Sequence, residues 1–115
     1  MTLRILNFTA HPATHDEYLA GVIDLDYVMR EKRKVYLRQL KRNPTADNIH
    51  DVAQYLAVQL RMYIDKYHPD IQHVWIDPSP YFAYNFVHEL KESHLIPAFV
   101  TNPYRAVNPV KFIFL

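Results

Sequence analysis

The chain has 115 residues, of which 50% are hydrophobic and 22% are charged, as expected for one globular domain. Its formal net charge is only +1, so a broad basic surface for duplex nucleic acid is not expected. Cysteine is absent, which excludes disulfides and thiolate catalysis. No apolar run approaches the length of a membrane span, and the first residues lack a signal-peptide layout. We therefore expect a cytoplasmic protein without a membrane anchor.

The first part of the chain predicts short strands alternating with helices. Residues 3–8 form an apolar segment typical of a strand, followed by a polar turn and a short helix over 14–20. Gly21 is the only glycine and is well placed to end that helix in the left-handed conformation. A second strand is predicted over 22–25. A helix over 26–40 follows, with apolar residues on one face and a strongly basic opposite face.

The second part continues the same alternation. Thr45 is predicted to cap a long helix that ends near His68, and residues 71–76 then form a strand. A helix over 79–93 leads to a strand over 96–100, and a last strand over 110–115 can run antiparallel to its neighbour. The pattern predicts one Rossmann-like α/β domain over 1–115. Its sheet is expected to be mainly parallel, with four to five strands and helices on both faces.

Three loops are expected to meet at the carboxyl edge of this sheet, where open α/β sheets usually bind ligands. They are residues 7–14, 77–81 and 101–105, and two of them lead into helix N-termini, which favour anions. Their polar side chains make a candidate ligand site. The candidate ligand-binding residues are Asn7, Thr9, His11, Thr14, Asp77, Ser79, Tyr81, Thr101, Asn102 and Arg105.

Each candidate role has a structural alternative. His11 is the natural general acid or base, but its ring can equally bind the loop backbone. Asp77 and Ser79 can simply cap the helix that follows them. Arg105 can pair with a phosphate or face solvent. The basic segment over 30–42 is usually a solvated helix face, and only sometimes an anion-binding strip.

Several classes of site are not expected. A single glycine excludes the Walker loop and the dinucleotide fingerprint, which need several glycines near the phosphates. His11 and His15 have the spacing of a metal-binding pair, but Pro12 lies between them and no further ligand is near, so no metal or cofactor is expected. The remaining histidines are interpreted as surface residues. They are His50, His68, His73, His88 and His94.

The opening segment also carries a resemblance. Asn7-Phe8-Thr9-Ala10-His11-Pro12-Ala13-Thr14 and the following Ala20-Gly21-Val22-Ile23-Asp24-Leu25 resemble the start of a group of small bacterial and phage proteins. That group is similar to the small CRISPR-associated Rossmann-like proteins, the CARF-like ring nucleases and sensors. The likeness extends faintly through Pro44-Thr45, residues 77–81 and residues 96–105. It covers most of the chain, although only the first segment is specific.

The resemblance implies binding of a cyclic oligonucleotide, above all a cyclic oligoadenylate, across a two-fold homodimer. Such a protein acts as a sensor, a sponge or a slow metal-independent ring nuclease in CRISPR defence or phage anti-defence. By position, Asn7, Thr9 and His11 match the first-loop motif, and Arg105 matches the basic residue after the late strand. In a nuclease, His11 and Arg105 would be the catalytic pair. One departure is Asp77-Pro78-Ser79-Pro80, where the group tends to have Gly-Gly-Ala-Pro. The departure bears on the ligand, because an aspartate at this place repels phosphate.

An alternative function is a small phage or bacterial interaction module that inhibits a host protein. The small size, the 14% aromatic content and the basic helix over 30–42 are compatible with it. A tight protein partner that copurifies without any nucleotide would favour this alternative.

Overall fold

A computed structural model describes residues 3–77, 79, 81–100 and 112–115. The described strands are β1 (Ile5–Asn7), β2 (Val22–Asp24), β3 (His73–Trp75), β4 (Ile96–Val100) and β5 (Phe112–Phe114). The described helices are α1 (His15–Leu19), α2 (Tyr27–Arg42), α3 (Ala46–Tyr67) and α4 (Ala83–Glu92). In this part of the chain, no helix is both long and apolar enough to cross a membrane.

The strands form one five-stranded sheet in the order β2-β1-β3-β4-β5. The first four strands are parallel, and β5 pairs antiparallel with β4. Ile5 pairs with Val22 on one side and with His73 on the other, so β1 lies between β2 and β3. The prediction of a mainly parallel α/β sheet is confirmed. Because the chain goes from β1 to β2 and then crosses to β3, the strand order has its switch point between β1 and β3.

Side-chain caps explain where three of the helices begin. Thr14 accepts a hydrogen bond from the Glu17 amide, and the Glu17 carboxylate accepts one from the Thr14 amide, which is a complete capping box. The Asp26 side chain caps α2 by accepting from the Met29 amide, and the Thr45 side chain caps α3 by accepting from the Asn48 amide. The predicted starts of α1, α2 and α3 are confirmed. Gly21, with φ of 104°, adopts the left-handed conformation that ends α1.

The start of α4 differs from the prediction. The helix begins at Ala83, and Phe82 precedes it without any side-chain cap. The interpretation of Asp77 and Ser79 as caps of this helix is therefore wrong. Asp77 is held elsewhere, because its carboxylate accepts hydrogen bonds from the Ala10 amide and the Arg33 guanidinium.

The core divides between the two faces of the sheet. On one face, Leu6 and Val74 are fully buried under α2, α3 and α4, and Leu60 of α3 is equally inaccessible. On the other face, a smaller cluster is formed by Ile5, Val22 and Trp75, with Ala13 and Phe112 packed against it. Ala13 lies just before α1, and because β-α-β crossovers between parallel strands are almost always right-handed, α1 is expected on this second side. Helices thus cover the two faces of the sheet. The loops that leave the strands meet at its carboxyl edge.

One histidine does not fit the surface interpretation. Nδ1 of His73 is buried and has no hydrogen-bond partner among the described residues. Its ring packs edge-on against Phe114 with the centroids 4.7 Å apart. Burial lowers the pKa of His73 from its ordinary value of 6.5, because the charged form loses its hydration.

This shift predicts a pH-dependent stability. The folded protein resists protonation of His73 while the unfolded chain accepts the proton, so the free energy of unfolding should fall as pH drops below about 6.5. Urea unfolding of the wild type and of a His73→Phe variant at a series of pH values measures the effect. The variant keeps the ring contact and should show a shallower loss of stability in acid. Identical pH slopes for the two proteins would contradict the prediction.

Candidate functional site

The loop after β1 is organised around the side chain of Asn7, which is only 3% exposed. Its amide nitrogen donates hydrogen bonds to the carbonyl of His11 and to the Asp24 carboxylate, both at 2.8 Å. Its amide oxygen accepts from the Thr9 backbone amide at 2.9 Å and from the Thr9 hydroxyl at 2.6 Å. The side-chain amide of Asn7 therefore donates two hydrogen bonds and accepts two within the protein, which is its full capacity. Asn7 fixes the path of the loop from beneath.

Thr9 and Asp24 complete this support. Thr9 is 7% exposed, and its hydroxyl accepts a hydrogen bond from the His11 amide at 3.4 Å. Asp24, at the end of β2, also accepts from the Ala13 amide at 3.0 Å. The loop consequently presents the exposed residues that follow Thr9, including His11, to solvent. Direct contact of Asn7 or Thr9 with a ligand stays a prediction, and the observed role of both is to shape the loop.

Arg33 of α2 reaches the same edge and links the loops that follow β1 and β3. Its Nε donates to the carbonyl of Phe8 at 2.8 Å, and its terminal nitrogen donates to the Asp77 carboxylate at 3.1 Å. The Arg33 side chain is 13% exposed, and its guanidinium lies over the Phe8 ring at 5.4 Å. Burial lowers the pKa of Arg33, and the Asp77 carboxylate opposes that shift. Arginine titrates so far above neutrality that the side chain keeps its charge.

A polar cavity of about 240 Å³ opens over the ends of β1 and β2. Three cations of α2 line it, and their spacing along the helix places them on one face. Arg30 and Lys34 are exposed on that face, and Arg30 also donates to the carbonyl of Leu25 at 3.0 Å. The polar cavity is lined by Asn7, Thr9, Ala10, His11, Pro12, Asp24, Leu25, Arg30, Arg33 and Lys34.

A second, apolar cavity of about 160 Å³ lies over the ends of β1 and β3. Arg33 lines both cavities, so they are neighbours along the sheet edge. Aromatic and aliphatic side chains form most of its lining, with a few polar groups among them. The apolar cavity is lined by Phe8, Arg33, Leu37, Leu40, Lys41, Ile76, Asp77, Ser79, Tyr81, Phe82 and Phe86.

The structure brings most of the described candidates to this edge but separates one of them. Asp77, Ser79 and Tyr81 line the apolar cavity, whereas Thr14 caps α1 and lines a different cavity. His11 lines the polar cavity, and its ring has no hydrogen-bond partner within the described part of the chain. The remaining candidates lie outside the described residues. They are Thr101, Asn102 and Arg105.

Sequence reasoning missed the contribution of α2. The basic segment was expected to be a solvated face, yet Arg33 is largely buried and Arg30 and Lys34 line the polar cavity. The signal was present in the spacing, because positions 30, 33, 34, 37 and 41 follow one helical face. The described residues contain no group of three or more side chains suited to hold a metal ion.

Chemically, the edge offers an anion site beside an apolar recess. Guanidinium and ammonium groups bind phosphate or carboxylate oxygens, while the recess suits a flat hydrophobic group. A comparison with known proteins finds no protein-family model, no curated protein and no solved structure that matches this chain.

Proposed function

We propose that this protein binds a cyclic oligonucleotide second messenger, with cyclic oligoadenylate as the favoured form, at the edge that holds the two cavities. The observation that carries the proposal is the lining of one cavity by three cations of α2 together with the loop after β1. Phosphodiesters are anions that arginine and lysine recognise well. The resemblance of the opening segment to CARF-like proteins supports the same ligand class.

The local charge balance supports an anion at this place. Two carboxylates also lie here, but Asp24 is bound by Asn7 and the Ala13 amide, and Asp77 is paired with Arg33. Asp77, the departure from the resembled group, therefore orients a cation. Lys34 Nζ lies 3.5 Å from Oε1 of Glu31 in an exposed ion pair. Breaking such a pair costs little free energy. The exposed cations Arg30 and Lys34 remain able to turn to a phosphate.

The fold context supports the proposal as well. We infer a Rossmann-like architecture from the order β2-β1-β3-β4-β5, which has its switch point between β1 and β3. Doubly wound sheets bind nucleotides and related ligands in the crevice at such a switch point. The apolar cavity and the Arg33–Asp77 pair lie at that crevice.

A homodimer is part of the proposal. Ligand pockets typically reach about 300 Å³ or more, and each cavity here is smaller. A cyclic oligonucleotide with two-fold symmetry suits an isologous interface, where a second copy supplies the other half of the site. The proposal includes a cytoplasmic location and a part in CRISPR defence or phage anti-defence.

Within this proposal, the protein is a sensor or sponge in preference to a nuclease. The His11 ring lies at the polar cavity without a hydrogen-bonding partner in the described ranges, so no neighbouring group there orients it for catalysis. Slow cleavage would require His11 to work with Arg105. Mass spectrometry of the ligand after incubation distinguishes binding alone from cleavage, and we expect the ring to be recovered intact.

Neutralising two exposed cations tests the anion site. In thermal-shift and calorimetric assays with cyclic di-, tri- and tetranucleotides, Arg30→Gln combined with Lys34→Gln should weaken binding by about 10-fold or more. The matched control is Arg38→Gln with Arg42→Gln, which removes the same charge from exposed positions of α2 outside both cavities. Equal loss in the two double variants, or no binding of any cyclic nucleotide to the wild type, would overturn the proposal.

The alternative, an interaction module that inhibits a host protein, is favoured by one observation. Edge strand β5 exposes large apolar side chains, with Ile113 at 51% and Phe114 at 44%. Exposed apolar edge strands are common sites of protein association. A tight partner that copurifies with the chain, with no nucleotide released on denaturation, would favour this alternative.

A further inference from the structure

We infer that the apolar cavity is a base subsite, which takes the planar heteroaromatic ring of the same nucleotide whose phosphates occupy the polar cavity. This inference rests on the proposed function. It names the base as the part of the ligand that gives selectivity. The cations of α2 give none, since they recognise any phosphate.

The lining of the apolar cavity suits a flat ring. Phe82 and Phe86 stack with their centroids 5.0 Å apart and an angle of 24° between their planes. Phe8 packs on Phe86, also at 5.0 Å, so three rings form a continuous apolar wall. Leu37 of α2 and Ile76 at the end of β3 add aliphatic contacts. Rings packed against one another in this way are held in place before a ligand arrives.

The apolar cavity has room for one ring system. Its volume of about 160 Å³ is below the value of about 300 Å³ or more that is typical of pockets for a whole small-molecule ligand. We therefore assign the base to this cavity and the ribose and phosphate to the space outside it.

Arg33 places that phosphate next to the ring. Its guanidinium lines both cavities and is fixed by the Phe8 carbonyl and the Asp77 carboxylate. A ligand that uses both cavities must be apolar and planar at one end and anionic at the other. Polar groups of Asp77, Ser79 and Lys41 also line the apolar cavity and can meet the polar edge of a base. A nucleotide has this combination of parts.

Filling the apolar cavity tests the inference. Leu37→Trp is the blocking variant, Leu37→Phe is a milder one in case the larger side chain disturbs folding, and Val28→Trp is the control at a 70% exposed position of α2. Three probes are titrated by calorimetry into each folded protein: cyclic oligoadenylate, adenosine, and trimetaphosphate, a cyclic anion without a base. We expect Leu37→Trp to weaken cyclic oligoadenylate and adenosine by about 10-fold or more, Leu37→Phe to weaken them less, and trimetaphosphate to bind all variants equally.

The outcomes separate the subsite from the proposed function. Unchanged binding of cyclic oligoadenylate to Leu37→Trp would overturn the base subsite and leave the proposed function standing. Equal losses in Leu37→Trp and Val28→Trp would also overturn the subsite. Failure of the wild type to bind any cyclic oligonucleotide, whether or not it binds trimetaphosphate, would overturn the proposed function itself.

Discussion

Replacing Asn7 by alanine is expected to lower the free energy of unfolding by about 3 kcal/mol. The substitution removes four short hydrogen bonds from a side chain that is 3% exposed. Each bond contributes about 1 kcal/mol, and the buried groups left without partners add a further cost. The largest part should come from Asp24, which loses its donor in Asn7 and, among the described residues, keeps the Ala13 amide alone. The loop that carries His11 would lose its fixed path as well.

Urea unfolding followed by the fluorescence of Trp75 measures this effect. Trp75 is the only tryptophan, is 4% exposed, and pairs with Asn7 in the sheet. The matched control is Asn85→Ala, because the Asn85 side chain makes no hydrogen bond within the described ranges. It should change stability by less than about 0.5 kcal/mol. A loss below about 1 kcal/mol in Asn7→Ala would show that the network contributes little.

Replacing Arg33 by methionine is expected to affect both stability and binding. The variant keeps most of the apolar stem but removes the donors to the Phe8 carbonyl and the Asp77 carboxylate. Breaking a fully buried ion pair costs about 3–5 kcal/mol. Because Asp77 is 43% exposed and keeps the Ala10 amide, we expect about 2 kcal/mol here. Affinity for cyclic oligoadenylate should fall by about 100-fold, since Arg33 lines both cavities.

A double-mutant cycle with Asp77→Asn separates the ion pair from the packing of Arg33. If the pair is stabilising, the double variant should be less destabilised than the sum of the two single variants, by about 1 kcal/mol. Strict additivity would show that Arg33 acts through Phe8 alone. In the binding assay, Asp77→Asn should reduce affinity less than Arg33→Met, because it leaves the cation in place.

The order and type of the elements could be predicted because local signals carried them. Thr14, Asp26 and Thr45 are cap residues directly before apolar helical periodicity, and Gly21 supplied the left-handed turn. The sheet followed from the alternation of strands and helices. The start of α4 was the local error, because the sequence signal at Ser79 preceded the helix by four residues.

The candidate site was predictable only in outline. Topology alone indicates which loops share an edge, so the loops after β1 and β3 were expected to meet. The long reach of Arg33 across to Asp77 depends on how α2 packs over the sheet, and residues 44 positions apart leave no local pattern. Likewise, the sequence pattern marked Asn7 as polar but did not show that its side chain forms hydrogen bonds with the loop and with Asp24 of β2. His73 was assigned to the surface for the same reason, because its burial depends on Phe114 of β5.

The stoichiometry of ligand binding tests the central claim most directly. Native mass spectrometry of the wild-type protein with a panel of cyclic oligoadenylates reports both the assembly and the number of bound ligands. The proposed site predicts two chains holding one ring, with the complex weakened by added salt and weakened about 10-fold or more when Arg30 and Lys34 are both neutralised. Chains that stay free of every ring size, or a complex whose stability ignores both cations, would contradict it.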